Sequence, residues 1–289
     1  MGSADLPTSF RPLEHGPRQA RDLGVLGEAI AMAPHLHAAL RSLAAHAQAW
    51  MGGLHLCLET LPDDGRRFLL LEPAAGSLAG KAPATEQALA TISRTVAAIS
   101  GGQLRPCEAW FSHEALAPLS SYRAQFGAAL RFGQGMDGLV FDPRDLDQPL
   151  PGQDAQGYDA AMRRIGQQFP ALPPRMGTRV RIIVTHLLAA GGCTHDRVSA
   201  ALGLHPRTLQ RRLREEGESF EAIKDRVRRD VALRHLGQSD VSLVRMTEIL
   251  GYSETSVLTR SCQRWFSASP RQLRKHQRRR PAQASPCAT

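Results

Sequence analysis

The five cysteines of this 289-residue chain (Cys57, Cys107, Cys193, Cys262, Cys287) are odd in number, scattered, and never paired as C-x-x-C. That argues against zinc and reads as a set of reduced thiols. No apolar run approaches the roughly 20 residues a membrane-spanning helix needs. The opening MGSADLPTSFRPLEHG lacks the basic-then-apolar pattern of a secretory signal. The expected compartment is therefore the cytoplasm, with no membrane partner. His35, His37, His46 and His55 do not take ligand spacing with a third donor. Cys107, Glu108 and His113 read as polar residues on a partly buried strand. No Ser-His-Asp or paired-carboxylate motif stands out. No catalytic residue, metal or cofactor is assigned, and the expectation is that the chain is not an enzyme.

One motif has to be discounted. Gly133-x-Gly135-x-x-Gly138 matches a dinucleotide fingerprint literally. Leu139, Val140 and Phe141 continue it as strand and Pro143 follows, so no helix N-terminus meets a pyrophosphate. These glycines are expected to form a hairpin loop.

What is present is a chain of two unlike halves. Apolar residues make up 42%, and 289 residues suffice for two domains with separate cores. The formal charge is +9. From Arg175 onward there are 22 Lys+Arg against 10 Asp+Glu; residues 1–174 hold 14 against 17. A polyanion is thus a partner for the second half only.

Residues 1–22 read as a flexible lead-in. Leu23 to Trp50 has helical periodicity, split by Pro34. Leu54–Thr60 and Arg67–Leu71 read as strands joined through Pro62-Asp63-Asp64-Gly65. Thr85 to Ser100 is helical, with Leu89, Ile92, Val96 and Ile99 on one face. Leu104–Phe111, Ala128–Phe132 and Leu139–Phe141 are further strands, with a helical stretch near Ser121–Phe126. Tyr158–Phe169 is a helix leading to the proline-rich boundary PALPP. The fold class is an α+β domain over 23–170, a linker at 171–177, and an all-α domain over 178–276. A basic tail, 277–289, completes the chain and should attract phosphate non-specifically.

The all-α half carries one signal twice. THDRVSAALGLHPRTLQRRLREEG runs from Thr194 to Gly217, and SLVRMTEILGYSETSVLTRSCQRWF from Ser242 to Phe266. Each is a short amphipathic helix, a Leu-Gly turn, and a second helix with Arg and small polar residues: a helix-turn-helix unit. Gly203 and Gly251 make the turns, where a side chain would clash or force an unfavourable backbone state. In the first unit Leu209 and Leu213 face inward. Arg207, Gln210 and Arg211 share the outward face, suited to reading guanine and adenine edges at about 1–3 kcal/mol of discrimination per bidentate pair. Arg212 and Arg214 flank the groove and hold phosphate. In the second unit Trp265 and Phe266 read as core. Thr255, Ser256 and Arg260 face outward as base readers, and Arg264 reaches phosphate. The linking helix 220–236 spans roughly 25 Å, compatible with two reading helices one DNA turn, about 34 Å, apart.

At this point a family resemblance becomes specific. Leu250-Gly-Tyr-Ser, Ser256-Val-Leu-Thr-Arg260, Gln263-Arg-Trp-Phe266, Ser269-Pro270 and Leu273-Arg274 resemble the signature of the AraC-type transcriptional regulators. So do Leu209-Gln-Arg-Arg-Leu213, Gly217 and Ser219-Phe220. The resemblance, over about residues 178–275, implies a seven-helix double helix-turn-helix domain. Two departures are His205, where the family usually has a Ser cap, and Ser267, where it usually has Gly. Upstream, Asp22-Leu-Gly-Val-Leu-Gly27, Ala39-Leu-Arg-Ser-Leu43, Gly133, Gly138-Leu-Val-Phe141 and Leu146-Asp-Gln-Pro-Leu150 resemble the arabinose-binding-like sensor domain of the OruR/VirS-type branch. There the domain begins several tens of residues earlier, so the resemblance implies a shortened first helical portion.

The expected function is a sequence-specific DNA-binding transcription regulator, modulated by a small-molecule effector. Its expected partners are double-stranded DNA, an effector, RNA polymerase and a second copy of the chain. Two rivals remain open: an N-terminal domain that only oligomerises, and an enzyme tethered to DNA.

Overall fold

The computed structural model describes residues 24–49, 54–73, 81–171, 173–190, 192–238 and 241–278. The lead-in 1–22 and Cys287 lie outside the described residues, as does all of the tail beyond 278. Two helices come first, α1 (Gly24–Ala31) and α2 (Leu36–His46), separated at Pro34 as its ring requires. His35 caps α2, its Nδ1 accepting from Ala38 N at 3.1 Å.

Strands β1 (Leu54–Thr60) and β2 (Arg67–Pro73) form the expected antiparallel hairpin, Leu54 opposite Pro73 and Thr60 opposite Arg67. Then come α3 (Lys81–Ile99), β3 (Glu108–Trp110), α4 (Leu119–Phe126), β4 (Ala129–Arg131) and β5 (Asp137–Phe141). The sheet order is β1-β2-β5-β3-β4, antiparallel except for the β3–β4 pair.

This order corrects the hairpin reading of Gly133 to Gly138. β4 and β5 do not pair; β3 lies between them, so the segment is a crossover. The strand assigned to Leu104–Phe111 shrinks to three residues, with only Glu108–Trp110 laddered to both neighbours. Gly138 has a packing reason: a Cβ there would run into Leu69 O and the Phe68 ring.

The two faces of the sheet have different partners. Alternation puts Leu69, Leu71, Leu139, Phe141, Ala109 and Leu56 on one face, packed with Leu26, Leu40, Leu89, Ile92 and Val96 of α1 to α3. Phe68, Leu70, Val140, Trp110 and Cys57 point to the other. At 25 cal/mol per Å² either face left bare would cost several kcal/mol, and the second one is closed partly by the other half of the chain. Ile182, fully buried, belongs to that cluster.

Ile182 sits on α7 (Met176–Ala190), reached through α5 (Pro143–Leu146), α6 (Ala155–Gln168) and the proline-rich boundary. Helix α7 faces both ways. Val180, Ile183, Val184, Leu187 and Leu188 build a core with Val198, Leu209, Leu213, Ile223 and Val227 of the first helix-turn-helix unit. A separate core around Met246, Leu250, Leu258 and Cys262 holds the second. The helices are α8 (His195–Ala201), α9 (Pro206–Glu215), α10 (Phe220–Gln238), α11 (Leu243–Ile249), α12 (Thr255–Phe266) and α13 (Pro270–Arg278).

Charge complements the apolar contact between the halves. Arg179 and Arg181 of α7 bond to Glu59 and Glu72 of the hairpin, and Thr178 Oγ1 donates to Glu72 at 3.0 Å. Asp63 at the hairpin turn lies 3.4 Å from Arg197 and 3.8 Å from His186. Arg234 of α10 donates to Gly133 O in the crossover. The acidic excess of the first half is thus partly spent on the basic second half.

Among the described residues no helix is long and apolar enough to cross a membrane. No group of three or more His, Cys, Asp or Glu side chains there could hold a metal ion. Glu108 instead accepts from Arg66 at 2.6 Å, Trp110 at 2.7 Å and Arg131 at 2.5 Å. Burial opposes its charge, but these donors outweigh burial and hold its carboxyl below the usual range.

Candidate nucleic-acid interface

The two helix-turn-helix units solve one local problem with the same bonds. Helix α8 starts at Thr194, whose hydroxyl accepts from Arg197 N at 3.2 Å; α11 starts at Ser242, which accepts from Arg245 N at 3.1 Å. A small hydroxyl residue follows inside each helix. Ser199 donates back to His195 O at 2.5 Å and Thr247 to Leu243 O at 2.8 Å, so both are buried without an orphaned polar atom.

Each first helix then closes on a left-handed glycine, Gly203 at φ +64° and Gly251 at φ +63°. Leu204 N returns to Ser199 O, and Tyr252 N to Thr247 O, both at 2.9 Å. These are the six-to-one bonds of a Schellman ending. The expected clash is absent: a Cβ on Gly203 meets nothing within 4 Å, and on Gly251 only ordinary contacts. The backbone angle alone demands glycine.

The second helices rest on buried side chains: Leu209 and Leu213 under α9, Leu258 and Cys262 under α12, none more than 1% exposed. That fixes which side faces out. Arg207, Gln210, Arg211, Arg212 and Arg214 are all exposed on α9. Thr255, Ser256, Arg260 and Arg264 are exposed on α12. Trp265 and Phe266 are half-buried and packed against the second core.

The exposed groups differ in how free they are. Arg211 pairs with Glu215 at 2.5 Å, but both are more than half exposed, so the pair is weak and the guanidinium can leave it. Ser256 Oγ donates to the Glu254 carboxylate at 2.9 Å. Arg264 pairs with Asp225 of α10, which also accepts from Trp265 Nε1 at 2.8 Å. His205 takes the cap role expected of Ser: its Nδ1 accepts from Arg207 N at 3.3 Å. Ser267 ends α12 in the left-handed region at φ +53°.

Helix α10 yokes the units through residues the sequence reading did not single out. Lys224 Nζ donates to Cys193 O at 2.6 Å, just before the first unit. One turn on, Arg228 donates from Nε to Leu250 O at 2.8 Å and from Nη2 to Gly251 O at 3.1 Å, in the turn of the second unit. Its guanidinium carbon lies 4.4 Å from the centre of the Tyr252 ring. Glu216, after α9, accepts from Met176 N at 2.6 Å and Gly177 N at 2.9 Å and so caps α7. The sequence hint was the run of charges on the linking helix, Arg226, Arg228 and Arg229.

Comparison with known proteins agrees with this arrangement. Residues 13–150 match the family model described as the arabinose-binding domain of AraC transcription regulator, N-terminal, and residues 198–276 match a helix-turn-helix domain spanning both units. The chain belongs to the AraC-type transcription regulators. Within that family it is similar to the HTH-type transcriptional regulator VirS of Mycobacterium tuberculosis, 34% identical over 191 residues, 66% of this chain and 56% of VirS. It is 27% identical to the ornithine utilization regulator of Pseudomonas aeruginosa over 260 residues, 87% of this chain and 74% of that one. The match thus spans little more than half the length of VirS. Among solved structures, the transcriptional regulator CdpR of Pseudomonas aeruginosa covers 89% of this chain and 83% of its own at 17% identity, with a TM-score of 0.37, too low to bear on function. VirS and the ornithine utilization regulator are both named as regulators.

Proposed function

We propose that this AraC-type protein is a sequence-specific DNA-binding transcription regulator. It lays α9 and α12 into successive major-groove turns of one duplex, and a small molecule bound by the N-terminal half modulates it. The observation that carries this reading is the matched pair of units, each with its second helix anchored by buried side chains and its polar residues exposed. Arg207, Gln210 and Arg211 are the base readers of the first unit, with Arg212 and Arg214 on phosphate. Thr255, Ser256 and Arg260 read through the second, and Arg264 turns from Asp225 to phosphate. Hydroxyls discriminate bases less sharply than Arg and Gln, so the first unit specifies more of the site. A second copy of the chain and RNA polymerase are the protein partners that go with this function.

Selection of bound duplexes from a random pool yields the operator, and gel-shift titration then tests the readers. Arg211→Ala is expected to weaken operator binding by about tenfold or more while leaving random DNA nearly unchanged. Equal losses on both would reduce Arg211 to a phosphate contact.

A further inference from the structure

His205 stands where the first reading helix begins, its backbone extended at φ −68° and ψ 141°, and Pro206 stiffens the residue after it. Its Nδ1 accepts from Arg207 N at 3.3 Å. A backbone N–H can only donate, so Nδ1 of the neutral ring is bare and the one ring proton sits on Nε2. The cap therefore sets the tautomer. Among the described residues that bond is the ring's only hydrogen bond, and His205 is exposed, so the Nε2 proton is free for an outside acceptor. A serine cap would close the helix equally well, but its hydroxyl would reach no further than the helix end. The surroundings favour an anion. From Arg197 to Arg214 the chain has no Asp or Glu, while Arg207, Arg211, Arg212 and Arg214 follow on α9 itself. The bond to Arg207 N also tethers the ring, so its reach is shorter than that of the arginines behind it. A short, fixed donor at the start of a reading helix suits phosphate at the rim of the groove better than base edges on its floor.

We infer that His205 is a further DNA contact of the first unit: Nε2–H donates to a backbone phosphate oxygen while Nδ1 caps α9. The same ring thus starts the helix and seats it on the duplex, ahead of the base readers Arg207, Gln210 and Arg211. This rests on the proposed function and adds to it a contact that serine, the residue expected at this position, cannot make.

The test is gel-shift titration of the full chain, His205→Ser and His205→Gln at about pH 8, where the imidazole is neutral. Each protein is titrated on the selected operator and on random duplex of the same length, and its melting temperature is measured alongside. Serine keeps the cap and loses the donor; the glutamine amide nitrogen reaches about as far as Nε2 but glutamine caps poorly. His205→Ser is expected to melt no lower than the natural chain yet bind both duplexes about fivefold more weakly. His205→Gln should do the reverse, melting about 2–3 °C lower while binding within about twofold of the natural chain. If His205→Ser binds as tightly as the natural chain, or His205→Gln as weakly as His205→Ser, the ring is a cap and nothing more. A loss confined to the operator would make His205 a base reader and overturn the phosphate assignment. Nitrogen NMR of the free chain checks the tautomer directly: the Nε2–H form is expected, and the Nδ1–H form would remove the donor and the inference with it. A natural chain that binds no duplex in the selection sinks the regulator reading itself, whereas unchanged binding by His205→Ser sinks only this contact.

Discussion

The Arg179 guanidinium on α7 donates to the Glu59 carboxylate on β1, joining the first helix of the DNA-binding half to the edge strand of the sheet. Glu59 is nearly buried and Arg179 a quarter exposed, so this is a partly desolvated pair rather than a surface one. Burial alone would strip the Arg179 proton more easily, but the bond to Glu59 dominates and raises its pKa.

Arg179→Ala strands Glu59 and should cost the full chain about 2–3 kcal/mol in urea unfolding. In a fragment of residues 173–278 the same substitution should cost nearly nothing, because the partner is gone. A loss of equal size in the fragment would place the role of Arg179 inside the DNA-binding half. Ile182→Glu divides the two backgrounds in the same way: destabilising by about 3 kcal/mol or more in the full chain, harmless or solubilising in the fragment.

Ser267 marks a residue-level departure with a measurable cost. It ends α12 at φ +53°, where a Cβ is disfavoured by about 1 kcal/mol. Ser267→Gly should therefore raise stability by up to about that amount, less what glycine gains in the unfolded chain. A calorimetric melting temperature that stays flat or falls would mean the serine side chain contributes something its position does not suggest.

Arg228 holds the turn that precedes α12 through the carbonyls of Leu250 and Gly251. Arg228→Ala should lower stability by about 1–2 kcal/mol. Its more telling effect is on recognition: selected sites should lose preference in the half read by α12 while the α9 half stays sharp. Arg228→Lys keeps the charge but cannot fork across two carbonyls, and should behave like the alanine variant. Uniform weakening across both halves would make Arg228 a plain phosphate contact.

Much of this was legible before any coordinates. The helix split at Pro34, the β1–β2 hairpin and both helix-turn-helix units follow from local rules, because proline, turn residues and periodicity act within a few residues of themselves. The order of the sheet did not follow, since the glycine-rich segment 133–136 satisfies a hairpin as well as a crossover, and only the pairing of β3 with both neighbours decides. Nor did the seam between the halves. Ile182 sits in an apolar run where every residue looks like core, and no pattern says that one side chain of α7 serves a different core from its neighbours. The outward faces of α9 and α12 were readable from Leu209, Leu213 and Leu258 alone. The hydrogen bonds that occupy Arg264 and Ser256 were not.

Two buried carboxyls in the N-terminal half should respond to pH with opposite sign. Burial pushes the Glu86 carboxyl up from its ordinary 4.5, only partly offset by the hydroxyl of Tyr122 and the nearby His113. A raised carboxyl pKa favours the fold below the ordinary value, and that contribution is lost as pH rises through the folded one. Glu86→Gln, which stays neutral and still accepts from Tyr122, should gain on the natural chain between about pH 4.5 and 7. For Glu108 burial is outweighed by its three donors and the pKa falls below 4.5. Its contribution is present above the ordinary value and lost as pH falls through the folded one, so Glu108→Gln should lose most at neutral pH and converge with the natural chain in acid. Urea midpoints of the three chains from pH 3.5 to 7 decide the matter. Parallel curves would show that neither carboxyl changes its proton affinity on folding, and curves diverging in the same direction would show that one of the two environments has been read with the wrong sign.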